Sequence, residues 1–181
     1  KTDYSAEIYT GGLFYALIAL DGYKDSAEKA ASIYTKYEVE KIKTATVGDY
    51  VFFGAYEQDN NKSNGKEQIE WLVLEKDDEK ALVVSKRVLD CKQYNTSFEA
   101  VTWETCFLRK WLNDDFINAA FSVGERAIVP TVTVSADKNP QHGTDPGNAT
   151  QDQIFLLSAM EANKYFSSNS ARSCAETAYA S

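Results

Sequence analysis

The feature that most constrains this chain is a change of hydrophobic period at Val47-Gly48-Asp49. Before this point apolar side chains recur at helical spacing, and after it apolar runs alternate with polar turns as they do in strands. We therefore expect a helical hairpin over residues 1–46 and an α+β domain over residues 47–181. The apolar positions are Ile8, Leu13, Leu17 and Leu20 in the first helix, and Ala30, Ile33, Tyr34 and Tyr37 in the second, which Asp25 or Ser26 would cap.

The segment after the period change predicts three strands. Residues 50–56 form an apolar run that ends in a polar loop at residues 59–66. Two further apolar runs, residues 69–75 and 81–85, are separated by a short charged turn. This pattern is typical of an antiparallel hairpin.

Helical spacing returns at Thr102, and Asn113 offers a stop before a second short helix. Pro130 interrupts an expected strand over residues 128–134. Residues 137–152 are polar and rich in Pro and Gly, which predicts a loop. The expected helix faces carry Trp103, Phe107, Leu108, Trp111 and Leu112 in the first, and Phe116, Ala120 and Phe121 in the second.

The last predicted elements are a short buried strand and a helix. Residues 154–157 are apolar enough for the strand. Ser158 and Glu161 have the spacing of a capping box, which predicts a helix that continues to Phe166. Beyond Ser167 no periodic pattern is visible.

The composition narrows the classes of protein to which the chain belongs. Hydrophobic residues make up 44% of the 181 residues, which excludes a disordered chain. The formal net charge is -8 and the basic residues are scattered, so a phosphate backbone would be repelled. The longest apolar run, residues 13–20, is shorter than the roughly 20 residues of a membrane-spanning helix. We therefore expect neither a nucleic-acid partner nor a membrane span in this segment.

The three cysteines, Cys91, Cys106 and Cys174, do not form a C-x-x-C pair, and His142 is the one histidine of the sequence. This count fits neither a zinc site nor a dense disulfide framework. A nucleophilic cysteine needs a base close to its sulfur, and the sequence gives no reason to place His142 beside either Cys91 or Cys106. We expect Cys106 to be buried and inert, and both a Cys91–Cys106 disulfide and two free thiols stay open.

The loop that begins at Asp59 has part of the ligand spacing of a calcium-binding loop. Asn64 stands where the turn of such a loop needs glycine, and a strand follows instead of a helix, so a plain hairpin loop is favoured. The oxygen-bearing positions of the pattern are Asp59, Asn61, Ser63, Gly65 and Glu70.

The tryptophans and the paired acids also have ordinary structural interpretations. Each tryptophan sits in an apolar run, which favours core packing over a carbohydrate platform. The adjacent acids stand at expected turns and helix starts, where solvated capping explains them. We therefore expect no catalytic, cofactor-binding or metal-binding residues. The positions are Trp71, Trp103 and Trp111, and the pairs Asp77 with Asp78 and Asp114 with Asp115.

Several sequence runs resemble a bacterial domain family of uncharacterised function, common in gut Firmicutes, over residues 48–179. Members of that family look like C-type-lectin-fold proteins, whose relatives include formylglycine-generating enzymes and the variable proteins diversified by retroelements. Residues 20–30, LDGYKDSAEKA, resemble the degenerate tetratricopeptide-type hairpins that often precede the domain. The matching runs are YEQDN (56–60), IEWLVL (69–74), TWETCFLRKWLN (102–113), NATQDQIFLLS (148–158) and EANKYF (161–166).

The resemblance implies a C-type-lectin-like α+β domain and a non-catalytic function, which is the binding of a protein or glycan ligand at the cell surface. Extracellular or surface localisation is expected on this ground alone, since no signal peptide is visible. The alternatives are an enzyme of the formylglycine-generating group and a purely structural interaction module. The family's Trp-rich segment and Gly-Val-Arg-Pro-Ala-Leu ending do not appear before Ser181, so a second or cleaved chain is expected to supply that segment.

Overall fold

The computed structural model describes the backbone of residues 24–181 and the side chains of residues 32–181. It is a mixed α/β protein with small antiparallel sheets and several helices. The first expected helix, with Ile8 to Leu20, lies outside the described residues. The described chain divides into two compact units: unit 1 includes residues 24–53 and 69–84, and unit 2 comprises residues 54–68 and 85–181.

The described elements confirm the second predicted helix, the three predicted strands and the last helix. The first of these helices begins at Lys24, so Asp25 and Ser26 lie in its first turn and not ahead of it as expected. In chain order the elements are α1 (Lys24–Thr44), β1 (Tyr50–Tyr56), β2 (Glu67–Lys76), β3 (Ala81–Ser85), α2 (Phe107–Trp111), a π-helical turn (Leu112–Phe116), α3 (Ile117–Ala120), α4 (Val123–Ile128), β4 (Val132–Val134), β5 (Thr150–Asp152) and α5 (Ala159–Tyr165).

The period change that is visible in the sequence coincides with a β-bulge in unit 1. Gly48 N–H donates to the carbonyl of Val73 at 2.9 Å, and Val73 N–H donates to the carbonyl of Asp49 at 3.0 Å, so two residues oppose one. Gly48 has a φ of 97°, which glycine adopts without steric penalty. The Asp49 carboxylate accepts hydrogen bonds from the Thr46 amide and hydroxyl, which hold the pKa of Asp49 below its usual value.

Beyond the bulge, the three-stranded sheet has the order β1-β2-β3. Alternate side chains of β1 and β2 are buried, as expected for strands with one packed face. The indole N–H of Trp71 donates to the carbonyl of Phe53 at 2.7 Å, so this tryptophan is a core residue with a satisfied polar atom, as predicted. The buried apolar residues of unit 1 are Val51, Phe53, Ile69, Trp71, Val73 and Leu74.

The core of unit 2 is aromatic. The ring of Phe116 lies 5.1 Å from that of Tyr56, 5.5 Å from that of Trp111 and 6.3 Å from that of Phe121, centroid to centroid. Such tilted and edge-on contacts between rings contribute beyond the apolar area that they bury. The buried apolar residues of unit 2 are Tyr56, Leu89, Cys106, Phe116, Ile117, Ala120 and Phe121.

The expected helix stop at Asn113 is wrong, because the chain continues from α2 through the π-helical turn into α3. The Asn113 amide N–H donates to the carbonyls of Arg109 and Ile154, and its oxygen accepts from the backbone N–H groups of Gln153 and Ile154. These bonds use the side chain to join two distant stretches of chain. Trp103 was expected on the same helix face, but it lies in a turn before α2.

Three boundaries in the second half of the chain also differ from expectation. Residues 123–128 are helical, so the strand expected over residues 128–134 is limited to β4 after Pro130. The loop ends earlier than expected, because its last three residues form β5, which pairs antiparallel with β4 in the register Val132↔Asp152. Residues 154–157 are not a strand, and Leu156 is 48% exposed.

The last residues of unit 2 are anchored although they lack a periodic pattern. Thr177 is buried, and its N–H donates to the carbonyl of Val88 at 3.0 Å. Tyr179 N–H donates to the carbonyl of Gln58 at 3.1 Å, and its ring lies 5.9 Å from that of Tyr56. Long-range backbone bonds therefore fix this segment.

Among the helices of residues 24–181, none combines the length and the apolarity that crossing a bilayer requires.

Candidate functional site

Cys106 is used structurally in unit 2. It is the N-cap of α2: its sulfur accepts from the Arg109 backbone N–H at 3.4 Å, and its thiol donates to the carbonyl of Trp103 at 3.4 Å. The side chain is 3% exposed, so the expectation of a buried cysteine is confirmed. The site is an N-cap and not the helix interior, because the helical residues begin at Phe107.

Cys91 and Cys174 are exposed, and all three cysteines are free thiols, so Cys91 and Cys106 are not bridged. His142 is exposed on the loop between β4 and β5, where its backbone N–H donates to the Asn139 side chain at 3.3 Å. Across the described residues, the one group of three potential metal ligands with donor atoms within 4.8 Å of one another contains neither a cysteine nor this histidine.

That group consists of Glu57, Asp59 and Glu67, which lie on and beside the loop between β1 and β2 in unit 2. Glu57 is buried, whereas Asp59 is exposed. Their oxygen atoms already accept hydrogen bonds from the loop itself. The Glu57 carboxylate accepts from Asn61 N–H at 2.8 Å, and that of Glu67 from Gln58 N–H at 2.7 Å.

Asp59 caps this loop. Its carboxylate accepts from the side-chain amide of Asn64 at 2.7 Å and from Asn61 N–H at 2.8 Å. The bond from Asn64, more than any other contact, holds the pKa of Asp59 below its usual value. The side-chain oxygen of Asn61, a position of the disfavoured calcium-loop pattern, accepts from the backbone N–H and hydroxyl of Ser63, and Glu70 lies in β2. The loop is therefore a self-bonded hairpin connection.

An ion pair between the half-buried Arg109 and the buried Asp152 joins α2 to β5. Asp152 is 1% exposed and accepts from Arg109 Nε at 2.8 Å, from Trp103 Nε1 at 2.9 Å and from the Thr150 hydroxyl at 2.6 Å. The guanidinium of Arg109 also donates to the carbonyls of Glu104 and Gln151. Every charged or polar atom of this pair that faces the interior has a partner, which is the arrangement that makes a buried charge tolerable.

A second polar group borders the aromatic core of unit 2. The Tyr56 hydroxyl donates to Asp90 at 2.7 Å, and Asp90 pairs with Lys92 at 3.2 Å. Lys92 Nζ lies 5.2 Å from the centroid of the Trp111 ring, so Trp111 packs against Phe116 and is also covered by a cation. Burial and the Asp90 carboxylate raise the pKa of Tyr56 well above its usual value.

The predicted pairs of acids fall into two groups. The Asp77 carboxylate accepts from the backbone N–H groups of Glu79 and Lys80, which lower its pKa, so the turn-capping prediction is confirmed. Asp114 lies in the π-helical turn and not at a helix start, because the helix does not stop at Asn113; it pairs with Lys110 at 2.6 Å.

The surface feature that the sequence reasoning missed is an irregular loop, residues 92–101, which we name the aromatic loop. Phe98 is fully exposed at its tip and Tyr94 is 44% exposed. The base is fixed, since Leu108 N–H donates to the carbonyl of Tyr94 at 3.1 Å and Phe107 N–H to the side chain of Asn95 at 3.3 Å. Burial and the Cys106 thiol raise the pKa of Tyr94 to about 12.

The aromatic loop has no hydrophobic period, so pattern reasoning could not select it. The available signal was that Tyr94 and Phe98 are the two apolar residues of the stretch 92–99, for which the sequence predicts neither a strand nor a helix. Aromatic side chains on a loop that a rigid scaffold anchors are typical of recognition surfaces. This loop is the candidate functional site.

These elements define a mixed α/β domain whose interior is held by an aromatic core and the Arg109–Asp152 ion pair. The model of the family described as "Domain of unknown function (DUF6273)" matches residues 78–181, and the chain belongs to this family. The match confirms a domain family of unknown function. No curated protein and no solved structure matches the chain.

Proposed function

We propose that this chain is a non-catalytic binding domain that recognises a protein or a glycan at the bacterial cell surface through the aromatic loop. The observation that carries the proposal is the full exposure of Phe98 on a loop whose base is hydrogen-bonded to α2. Removing an exposed phenylalanine ring from water is favourable, and at this position only a binding partner can cover the ring. Its exposure on a loop whose base is hydrogen-bonded to α2 therefore favours recognition.

The C-type-lectin-like fold is part of this proposal. It rests on the resemblance of residues 48–179 to that family. The small antiparallel sheets and several helices of the described residues are compatible with it.

The alternative, an enzyme of the formylglycine-generating group, would need a reactive cysteine. Cys106 is 3% exposed, and its sulfur is engaged with Trp103 and Arg109, which favours the binding proposal over this alternative. Turnover of a thiol or peptide substrate by the purified protein, abolished by Cys106→Ser or Cys91→Ser, would overturn the binding proposal.

The test uses two probes, a printed panel of bacterial and host glycans and a phage-displayed peptide library. Both are applied to the wild type, to Phe98→Ala and to a matched control, Val123→Ala, which removes another exposed apolar side chain, one that is 74% exposed. We expect Phe98→Ala to weaken selected ligands about 10- to 30-fold, which is the effect of a hot-spot residue.

The control variant should bind as the wild type does, and both variants should melt within a few degrees of it, since neither side chain is packed. Equal binding by Phe98→Ala and the wild type, for every ligand that either probe selects, contradicts the assignment of the aromatic loop. Selection of no ligand by either probe contradicts the binding function itself.

A further inference from the structure

The loop between β1 and β2 contains the one Asn-Gly dipeptide of the sequence, Asn64-Gly65. Both residues are exposed, and the backbone there belongs to neither a strand nor a helix. Gly65 has a φ of 94°, and no heavy atom lies within 4 Å of the position that a Cβ would occupy. Within the described part of the chain, Gly65 N–H donates no hydrogen bond to a protein group. The amide nitrogen is therefore unhindered and available.

We propose that Asn64 is a site of spontaneous deamidation. The Gly65 nitrogen attacks Cγ of Asn64, so the N–Cγ bond forms, the Cγ–Nδ2 bond breaks, and ammonia leaves with the proton that the nitrogen loses. Water then opens the resulting succinimide at either carbonyl. The products are aspartate or, with the main chain routed through the side chain, isoaspartate. The step needs no reactant other than water.

The glycine that follows Asn64 favours this position over the other asparagines of unit 2. A following residue with a side chain hinders the attack, and glycine has none and reaches the conformations that ring closure needs. Asn148 is the useful comparison, because it is also exposed but is followed by Ala149. Its side-chain amide donates to Glu104 at 3.0 Å, as that of Asn64 donates to Asp59 at 2.7 Å. The two sites therefore differ mainly in the residue that follows.

The reaction would change the loop that contains it. Deamidation removes the amide that donates to Asp59 and places a carboxylate there, beside a carboxylate that already has Glu57 and Glu67 close to it. Like charges at this separation repel each other. The deamidated loop should therefore be more acidic and less tightly hydrogen-bonded than the loop with an intact Asn64. Asn64 then acts as a slow, irreversible charge switch.

The experiment follows both asparagines in one sample. The purified chain is incubated in mildly alkaline buffer at physiological temperature, and the peptides that contain Asn64 and Asn148 are mapped by mass spectrometry with electron-transfer fragmentation. We expect Asn64 to convert at least about tenfold faster than Asn148, because Ala149 carries the Cβ that Gly65 lacks. The rate should rise about tenfold per pH unit, since the deprotonated fraction of a weak acid does so below its pKa.

Asn64→Gln is the blocking variant, since it retains the amide but would have to close a larger ring, and its peptide should stay unchanged. Asn64→Asp mimics one product, and hydrogen exchange over residues 57–67 should be faster in it than in Asn64→Gln. Equal rates at Asn64 and Asn148 would overturn the proposal. So would an Asn64 that survives in the folded protein but converts in urea, because the fold would then protect it. Equal exchange in the two variants would overturn the switch.

Discussion

The hydrogen-bonded ion pair between Asp152 and Arg109 joins two parts of unit 2 that are 43 residues apart in sequence. In Asp152→Asn, the side-chain NH2 group faces a hydrogen-bond donor where a carboxylate oxygen accepted before. The guanidinium of Arg109 also loses its counter-charge. Breaking a fully buried ion pair on one side costs about 3–5 kcal/mol, and the lower end of that range applies here because the Arg109 side chain is 27% exposed. We therefore expect Asp152→Asn to lower the free energy of unfolding by about this amount, measured by urea denaturation.

The matched control is Asp114→Asn, which removes the charge from an exposed pair with Lys110. Solvent screens that pair, so the change in stability should be close to zero. If both variants unfold at the same urea concentration as the wild type, the Asp152 network does not stabilise unit 2.

The ionisation of Tyr56 makes the free energy of unfolding depend on pH in the alkaline range. Its pKa in the folded protein is raised above the usual value of about 10, mainly by burial and then by the bond to Asp90. A raised pKa contributes stability that is fully present below the pKa of the unfolded chain and is lost as the pH rises through the folded pKa. We therefore expect the free energy of unfolding to fall above about pH 10.

Tyr56→Phe tests this, because it retains the ring that packs on Phe116 and removes the ionisable hydroxyl. At neutral pH the variant should lose about 1.5–3 kcal/mol, the typical value of a hydrogen bond to a charged group. Between neutral pH and pH values above about 10, its stability should fall less than that of the wild type. An identical fall in both proteins would show that Tyr56 does not carry the effect.

At the scale of elements, the strands and helices that the sequence predicted well are those defined by local signals. The apolar run of residues 50–56, with the polar loop after it, predicted β1 to the residue, and the capping box at Ser158 predicted the start of α5. One error came from long-range bonds. Asn113 looks like a helix stop, but its side chain bonds to Ile154, 41 residues away, and no local pattern encodes that partner.

Glycine at position 54 is required by the packing of β1 on α3 within unit 2. Gly54 has a φ of 71°, and an added Cβ would lie 2.5 Å from the Phe121 ring and 2.8 Å from the carbonyl oxygen of Ala120. We expect Gly54→Ala to cost about 2–4 kcal/mol, from overpacking together with backbone strain. Thermal unfolding followed by circular dichroism measures the loss.

Gly65→Ala is the control for strain alone. Gly65 also has a positive φ, of 94°, but nothing lies near its missing Cβ, so about 1 kcal/mol is expected. Equal melting temperatures for the two alanine variants would mean that the contact with Phe121 relaxes freely.

At the scale of the whole molecule, the sequence predicted the α+β class and the membership of an uncharacterised family, but it missed the candidate site. The structural class follows from the hydrophobic periodicity, which can be read directly from the sequence. The aromatic loop is a candidate site because Phe98 is exposed on it. Whether a side chain is exposed depends on the positions of all other elements, which no local pattern gives. The final segment was missed for the same reason, since backbone bonds to Val88 and Gln58 hold it and no side-chain pattern marks them.

That final segment allows a test at the same scale. Deleting residues 175–181 removes the buried Thr177, the backbone bonds to Val88 and Gln58, and the Tyr179 ring that packs edge-on against Tyr56. Three backbone bonds are lost, two between Val88 and the segment and one to Gln58. Each contributes about 1 kcal/mol, and the aromatic contact adds about 0.5–1.5 kcal/mol. We therefore expect the truncated protein to melt lower by several degrees or more.

Tyr179→Ala separates the two contributions, because it removes the ring and retains the backbone bond to Gln58. Its melting temperature should lie between those of the truncated and wild-type proteins. The exposed residue Glu176 supplies a control, since Glu176→Gln changes a surface charge and leaves the Thr177 contacts in place. Equal melting temperatures for the truncated and wild-type proteins would show that the segment does not stabilise unit 2. A truncated protein that melts lower, with Tyr179→Ala in between, would establish the segment as part of the fold.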